Sequence, residues 1–377
     1  PPILEGTIYE TTLFTLLPGV TVSFCADGLS LIFALVSSFL WIFATSYNIG
    51  YMRGLKEHAQ TRYYICFAVA IFGAQGVAFS GNIFTLYLFY EIITLFTYPL
   101  VAHHQDYEGY ASGRKYLVYL MGSSKLYFLP ALVLTYVLCG TLDFHLGDIR
   151  QGIFPPDANP TLVTLTYALY LAGLAKSAIM PLHNWLPSAM VAPTPVSALL
   201  HAVAVVKAGV FSVCRIILSC FGLETMQHLG LGLPTAYVTA FTVIAAALIA
   251  QISHMHGLGR RMPWTFGAFA LATLSFVGLP PVSGFVSKFY MATGAADAAM
   301  TGLMFVILIS ALLNLAYLGP VVYKAFFLPP AGGMDLTSYK EAPLAMLIPL
   351  VLTALISILL GFHPQTFVGF ADMFTHF

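Results

Sequence analysis

The chain of 377 residues is 59% hydrophobic, contains only 8% charged residues and has a formal net charge of zero. Soluble domains contain roughly a quarter charged residues, so this composition excludes an ordinary aqueous fold. We expect the lipid bilayer to surround the chain, and we expect no nucleic-acid partner.

Apolar runs along the chain predict about ten membrane-crossing helices. A hydrocarbon core about 30 Å thick needs roughly 20 apolar residues per helical crossing. The runs are uniformly apolar rather than alternating, which favours helices over a transmembrane barrel. We therefore predict an all-α fold, a polytopic bundle of transmembrane helices. The runs lie at residues 22–50, 63–81, 83–102, 115–138, 162–181, 194–221, 232–251, 264–294, 301–327 and 342–362.

The same runs divide the chain into three parts. Residues 1–21 are predicted to be an external N-terminal segment and residues 22–362 the transmembrane domain. Residues 363–377 are predicted to be a C-terminal tail. The chain begins with Pro-Pro and no methionine, so we expect the natural N-terminus to be absent or processed.

Basic residues lie unevenly in the connections between these runs. Of the 15 Lys and Arg residues, nine lie in alternate connections on one side, and only Arg150 and Arg215 are assigned to the other side. Because cytoplasmic loops are enriched in Lys and Arg, the nine-residue side should be cytoplasmic, in the inner membrane of a bacterium or archaeon. The nine are Arg53, Lys56, Arg62, Arg114, Lys115, Arg260, Arg261, Lys324 and Lys340.

Glu91 and the four lysines that are not assigned to a connection lie inside the apolar runs, where charge is expensive. A charge at the bilayer centre costs about 2.5–3.5 kcal/mol on insertion scales, so such residues usually mark a transport path. Burial disfavours the ammonium form of a lysine, whereas a nearby carboxylate favours it. A carboxylate that moves could therefore switch a lysine between holding and releasing a proton. The five residues are Glu91, Lys125, Lys176, Lys207 and Lys288.

Two of these lysines have neighbours that qualify their interpretation. Lys125 lies early in its helix, close to Ser123 and Ser124, and a structural ion pair and a transport role remain equally open. Lys207 follows His201 by six residues, which rise about 9 Å along a helix, so a water molecule would have to link the two side chains. A histidine can pass protons near neutral pH, which makes His201 a candidate relay.

Proline-rich segments interrupt two of the predicted helices, and an intramembrane lysine lies close to each break. Within lipid, a broken helix is tolerated only where protein or water satisfies the freed backbone groups. The pattern favours two inverted repeats with an ion site at each break. We place these repeats at about residues 63–221 and 232–327. The breaks are Pro181 and Pro187 in the first segment and Pro280 and Pro281 in the second.

Four motifs resemble one family over nearly the whole chain. The most specific runs from Lys176 to His201, KSAIMPLHNWLPSAMVAPTPVSALLH. Support comes from Asp27–Ser30, from Asn82–Glu91 and from the segment GLPPVSGFVSK that ends at Lys288. These motifs resemble those of the antiporter-like subunits shared by respiratory complex I and Mrp-type cation/proton antiporters.

The resemblance implies roles for the intramembrane residues. Glu91 and Lys176 match the pair that gates the first half-channel. His201 and Lys207 match the central relay, and Lys288 matches the terminal lysine of the second half-channel.

Two further features bear on the subfamily and on the completeness of the second repeat. Residues Arg260–Thr265, RRMPWT, look closest to D-type Mrp subunits. After Gln251 the family continues through about two further helices, which often carry a linking histidine or lysine. The abrupt apolar-to-polar change at Gln251–Ile252 leads us to hypothesise that the sequence joins two segments across a gap.

The predicted function is proton translocation by a subunit that works with other membrane subunits. The segment RRMPWT favours the Mrp setting slightly over the redox setting. In the Mrp setting, Na⁺ would be exchanged for H⁺. The alternatives are a proton-pumping arm of a complex I-like or hydrogenase redox complex, a subunit for energy-coupled inorganic-carbon uptake, and a non-conducting scaffold. We expect no catalytic residue, cofactor or metal site, since the five cysteines are scattered without a CxxC pair.

Overall fold

The computed structural model describes residues 8–198, 204–249, 258–328, 341–365 and 368–369. The chain divides into two compact units. The first contains residues 1–42, 58–234 and 367–377, and the second contains residues 43–57 and 235–366.

A β-hairpin precedes the first helix, which corrects part of the predicted helical run 22–50. Strand β1 (Tyr9–Leu17) pairs antiparallel with β2 (Val20–Ala26), and Pro18 and Gly19 form the turn between them. Gly19 has a φ of 76°, a left-handed conformation that glycine adopts without steric cost. Residues 20–24, VTVSF, alternate β-branched or aromatic residues with hydroxyl residues, and this period of two is typical of a strand.

The helices of the first unit follow the hairpin in chain order. Helix α4 continues into α5 through a π-helical turn, Ser124–Phe128, and α9 continues into α10 through a second π-helical turn, Ile216–Phe221. The helices are α1 (Gly28–Gly54, which ends in the second unit), α2 (Gln60–Ala78), α3 (Ile83–Val101), α4 (Tyr107–Ser123), α5 (Leu129–Cys139), α6 (Pro160–Gly173), α7 (Trp185–Ser188), α8 (Thr194–Ala198), α9 (Val205–Arg215) and α10 (Gly222–His228).

The second unit is also helical. Its long helices are apolar along most of their length, and the connection between α13 and α14 contains the second proline-rich break. The helices are α11 (Gly232–Ile249, which begins in the first unit), α12 (Leu258–Arg261), α13 (Pro263–Val277), α14 (Ser283–Asp297), α15 (Thr301–Phe327) and α16 (Leu344–Phe362).

Within the described residues, six helical stretches are long and apolar enough to cross a membrane, which confirms the predicted helical membrane architecture. The sequence predicted about ten. The runs 162–181 and 264–294 are not among the six because α6 ends at Gly173 and α13 ends at Val277. The inverted relation of the two repeats remains a prediction. The six stretches are Gly28–Gly54, Ile83–Val101, Tyr107–Cys139, Val205–His228, Thr301–Phe327 and Leu344–Phe362.

One side of the first unit is defined by the start of α3. The Asn82 side chain caps α3 by accepting from the backbone N–H of Thr85, and its amide donates to the Thr21 carbonyl at 2.8 Å. The N–H of Ile83 donates to the carbonyl of Leu142, which follows α5. The hairpin, the start of α3 and the end of α5 therefore share one side, called the outer side below. The end of α3 and the start of α4 lie on the opposite, inner side.

Candidate functional site

A polar face of α3 forms the base of the candidate site. Tyr87, Tyr90, Glu91, Thr94 and Thr97 recur every three or four residues, so they lie on one face of the helix. All five residues are buried, and Glu91 is 8% exposed. Buried polar side chains in an otherwise apolar bundle need partners, which neighbouring segments of the first unit supply.

The carboxylate of Glu91 faces the π-helical turn between α4 and α5. The Ser124 hydroxyl donates to Glu91 Oε1. The Lys125 ammonium lies 3.6 Å from Glu91 Oε2 and donates to the Tyr87 hydroxyl at 2.8 Å. Because the Lys125 side chain is half exposed, this ion pair connects a buried carboxylate to the edge of the unit.

Lys176 is the most deeply buried cation of the predicted set, with an exposed fraction of 0%. It lies in a short 3-10 turn, Ala175–Ser177, just after α6 ends. Its ammonium donates to the Tyr90 carbonyl at 2.6 Å and lies 3.2 Å from the centre of the Tyr90 ring. Its backbone N–H donates to the Tyr90 hydroxyl at 3.1 Å. Tyr90 thus binds both the backbone N–H and the ammonium group of Lys176.

The structure places Lys176 against α3 at the residue next to Glu91, but the two side chains do not form an ion pair. Lys176 binds the carbonyl of Tyr90, the residue before Glu91. Within the described ranges, Lys125 is the lysine that lies within 4 Å of the Glu91 carboxylate. The site therefore contains two lysines and one carboxylate, with Lys125 paired to the carboxylate and Lys176 bound to a backbone carbonyl. The roles of these residues in proton transfer remain a prediction.

The first proline-rich segment follows the end of α6 at Gly173 and folds back on itself. Pro181 lies in the irregular stretch after Lys176, and Pro187 lies inside the short helix α7. Trp185 of that helix donates its indole N–H to the carbonyl of Ala175 at 3.0 Å. The freed backbone of the break is thus satisfied by a side chain, as burial in a membrane requires.

Gly209 of α9 allows the helix to contact the Lys176 segment closely. A Cβ atom at Gly209 would lie 2.3 Å from the Ser177 nitrogen and 2.5 Å from the Lys176 carbonyl carbon. Both are backbone atoms, so the whole turn would have to move.

We expect Gly209→Ala to lower proton transport at least tenfold, since misplacing a reacting group by about 1 Å can cost about 100-fold. Stability should fall by only about 1–3 kcal/mol, the usual cost of overpacking. The control is Gly122→Ala in α4, where a Cβ would meet no atom within 4 Å. Equal transport by the two variants, measured in proteoliposomes, would contradict the positioning role.

The predicted central relay is described only in part. Lys207 lies in α9 with its side chain exposed, two residues before Gly209. His201 lies outside the described residues. The link between the two therefore remains a prediction.

Lys288 in the second unit is held by the break that precedes it. Its ammonium donates to the carbonyls of Phe276 at 2.6 Å and Val277 at 3.1 Å, at the end of α13. Asn314 of α15 donates to the same Phe276 carbonyl at 2.9 Å. Pro280 and Pro281 lie between α13 and α14, so this break also leaves carbonyls free for a lysine.

A buried ion pair joins two residues that were not predicted to interact. Both terminal nitrogens of the fully buried Arg215 guanidinium donate to the Asp27 carboxylate, at 2.5 and 2.8 Å. The sequence pattern assigned Arg215 to an external connection, and the structure corrects this assignment. Its position inside the apolar run 194–221, which also contains Lys207, was the available signal.

Comparison with known proteins finds one family. The family described as "NADH:quinone oxidoreductase/Mrp antiporter, TM" matches residues 80–251 and 237–314, well over half of the chain. The first match ends at residue 251, where the change in composition suggests a gap.

Two curated relatives cover most of the chain. One is a component of the Na(+)/H(+) antiporter of Alkalihalophilus pseudofirmus. It is 27% identical over an alignment of 436 residues, gaps included, which covers 92% of this chain and 53% of that protein. The other is a component of the NADH-quinone oxidoreductase of Desulforudis audaxviator, 26% identical over 407 residues, 88% of this chain and 80% of that protein. The chain thus spans about half the length of the first relative and four fifths of the second.

One solved structure shows the shared fold. A chain of the membrane-bound sulfane sulfur reductase, an archaeal respiratory membrane complex, superposes with a TM-score of 0.79. It is 23% identical, and the match covers 98% of this chain and 86% of that chain.

Proposed function

The chain belongs to the NADH:quinone oxidoreductase/Mrp antiporter transmembrane family, and we propose that it translocates protons as one subunit of a larger membrane complex. The resemblance to antiporter-like subunits is thereby confirmed, and the chain is a multi-pass membrane protein. The ion, the coupling reaction and the partner set belong to the proposal.

One observation carries the proposal: Lys176 is completely buried beside Glu91, with its ammonium on a backbone carbonyl. A carbonyl is a weaker counterpart for an ammonium than a carboxylate is, because it carries no net charge. Such a lysine can lose its proton at lower cost than one locked in an ion pair. Movement of Glu91 between Lys125 and Lys176 would then decide which lysine holds the proton.

The antiporter setting is our first choice for the complex. Support comes from the relative named as part of a Na(+)/H(+) antiporter, whose match covers 92% of this chain, and from the D-type resemblance of Arg260–Thr265. In this setting the transported ions are H⁺ and Na⁺, and other membrane subunits are the partners. The D-type assignment itself remains a prediction.

A redox complex is the second candidate. The relative named as part of NADH-quinone oxidoreductase is covered over 80% of its length, and the structural neighbour comes from a respiratory complex. Here an electron-transfer reaction on partner subunits would drive the same proton path. In both settings we place the chain in the inner membrane, with its basic loops in the cytoplasm.

Purification from native membranes in a gentle detergent, followed by mass spectrometry of every co-purifying chain, tests the claim that the chain works within a complex. Small hydrophobic partners without cofactors are expected for an Mrp-type antiporter. Flavin or iron–sulfur subunits would replace that setting by the redox one. Recovery of the chain alone would contradict the claim.

A further inference from the structure

Buried hydroxyl groups line the space between Lys176 and the inner side of the first unit. The Thr94 hydroxyl donates to the Tyr90 carbonyl at 3.3 Å, the same oxygen that binds the Lys176 ammonium. Thr97 lies almost one turn further towards the inner side, and its hydroxyl is hydrogen-bonded to the Tyr116 hydroxyl of α4. Thr94, Thr97 and Tyr116 are each 0% exposed.

These three hydroxyl groups form a row with steps that a proton can cross. Side chains three residues apart on a helix lie about 5–6 Å apart at Cβ, a gap that one water molecule bridges. The Thr97 hydroxyl donates to the Ile93 carbonyl at 2.6 Å, so Tyr116 is the donor within the Thr97–Tyr116 pair. Each hydroxyl can accept a proton from one neighbour while releasing its own to the next, and rotation of the hydroxyls then restores the starting directions.

The inner end of the row lies at Tyr116, next in the chain to a partly buried lysine. Lys115, next to Tyr116, donates to the Ser188 hydroxyl at 2.7 Å and is only partly buried. The Tyr116 ring packs edge-on against Trp185 of α7, at 5.5 Å between centroids. The inner end of the row therefore lies between α4 and the folded-back segment that follows Lys176.

An aromatic ring packs against the outer part of the polar face of α3. Phe128 is fully buried, and its ring centroid lies 5.2 Å from that of Tyr87 and 5.6 Å from that of Tyr90. A close contact with α6 fixes its backbone, since a Cβ at Gly173 would lie 2.4 Å from the Phe128 nitrogen. A packed benzyl ring has no group that can accept or donate a proton.

Beyond Phe128, a second hydroxyl pair repeats the chemistry of the first. The hydroxyls of Thr135 in α5 and Tyr170 in α6 lie 2.7 Å apart, and both residues are 0% exposed. The Tyr170 ring packs against Phe128, at 5.6 Å between centroids, and Thr135 follows Phe128 in the chain towards the outer end of α5. The two Thr–Tyr pairs thus match in type and burial but lie on different sides of the Phe128 ring.

We propose that protons reach Lys176 from the inner side through Tyr116, Thr97 and Thr94, and that Phe128 closes the route towards the outer side. The proposal rests on proton translocation by this chain and adds the residues that give Lys176 access to one side only. Thr94, Thr97 and Tyr116 act as a relay, and Phe128 acts as a barrier.

The test of the relay compares the two hydroxyl pairs in the native complex, reconstituted in proteoliposomes. The double variant Thr97→Val and Tyr116→Phe removes both hydroxyls while keeping shape, so no buried partner is left unpaired. We expect proton flux to fall at least tenfold, with complex yield unchanged. The matched control, Thr135→Val and Tyr170→Phe, should keep flux within twofold. Equal effects of the two double variants, or no effect of the first, would overturn the relay.

The test of the barrier looks for a gain of passive proton leak. A misfolded subunit would lose transport and would not gain such a leak. We expect Phe128→Ala to raise the passive proton leak at least tenfold in the absence of the driving reaction or ion gradient. The matched control is Phe221→Ala, because Phe221 is equally buried and shares the Tyr170 contact, while its other ring contacts are with Tyr167 and Phe154 and not with the polar face of α3. A leak in both variants, or in neither, would overturn the barrier.

Failure of the relay and failure of the proposed function give different results. If flux stops in Lys176→Met but not in the Thr97 and Tyr116 double variant, only the relay is wrong. If the unaltered complex conducts no protons, the proposed function is wrong and the relay fails with it.

Discussion

Replacing Lys176 by methionine is expected to lower proton transport at least about 100-fold while the complex still assembles. A positioned proton-transfer group typically contributes about 100- to 10,000-fold. Methionine has a similar length and no charge, so it fills the space of the lysine stem without leaving a buried ammonium. The Tyr90 carbonyl keeps the Thr94 hydroxyl as a partner.

Two comparison variants separate the loss of an exchangeable proton from the loss of a positive charge and from any general effect of changing a lysine. Lys176→Arg keeps a positive charge but stays protonated, so transport should fall as far as in the methionine variant. Lys56→Met changes an exposed lysine outside the site formed by Glu91, Lys125 and Lys176, and it should leave transport unaltered. Proton flux is measured in proteoliposomes at equal amounts of complex. Normal flux in Lys176→Arg would show that a fixed charge suffices, which would contradict the exchange role.

Replacing Arg215 by leucine is expected to destabilise the protein by about 3–5 kcal/mol, the usual cost of removing one partner from a buried ion pair. The loss would strand the Asp27 carboxylate, which also caps α1 by accepting the N–H of Ser30 at 2.8 Å. Burial alone would raise the pKa of Asp27, but its hydrogen bonds and the Arg215 charge hold that pKa below its usual value.

The sign of the pH dependence follows from that lowered pKa. The ion pair stabilises the fold above the pKa of the unfolded carboxyl, and this stabilisation disappears as the pH falls through the lower, folded value. Combining Asp27→Asn with Arg215→Leu removes both charges and keeps a capping oxygen, so the loss should be smaller than in Arg215→Leu alone. Thermal unfolding in detergent measures all three proteins. A double variant less stable than the single one would contradict the ion-pair interpretation.

The intramembrane charges could be singled out from the sequence because charged residues are rare in apolar runs. Glu91, Lys176 and Lys288 each interrupt an apolar run, and no such interruption is cheap in lipid. The helix breaks were predictable for a similar reason, since proline cannot continue the backbone hydrogen-bonding pattern. The hairpin was missed because residues 20–26 join the apolar run that follows, and hydrophobicity alone hides their period of two.

The partners of the charges could not be predicted from the sequence. Lys176 binds the backbone carbonyl of Tyr90, 86 residues away, and every residue type has the same carbonyl. Arg215 pairs with Asp27 across 188 residues, and neither position carries a pattern that names the other. The pairing of Lys125 with Glu91 depends on the π-helical turn at Ser124–Phe128, which the hydrophobic pattern does not distinguish from a continuous α-helix.

The most direct measurement is proton flux through the purified native complex in proteoliposomes, with Lys176→Met and Lys288→Met introduced separately and Lys56→Met as the control. We predict that each of these two variants stops flux while the control does not, because the proposed function assigns proton transfer to both intramembrane lysines. Full flux in either Lys176→Met or Lys288→Met, in a correctly assembled complex, would contradict proton translocation through this chain and favour a non-conducting scaffold.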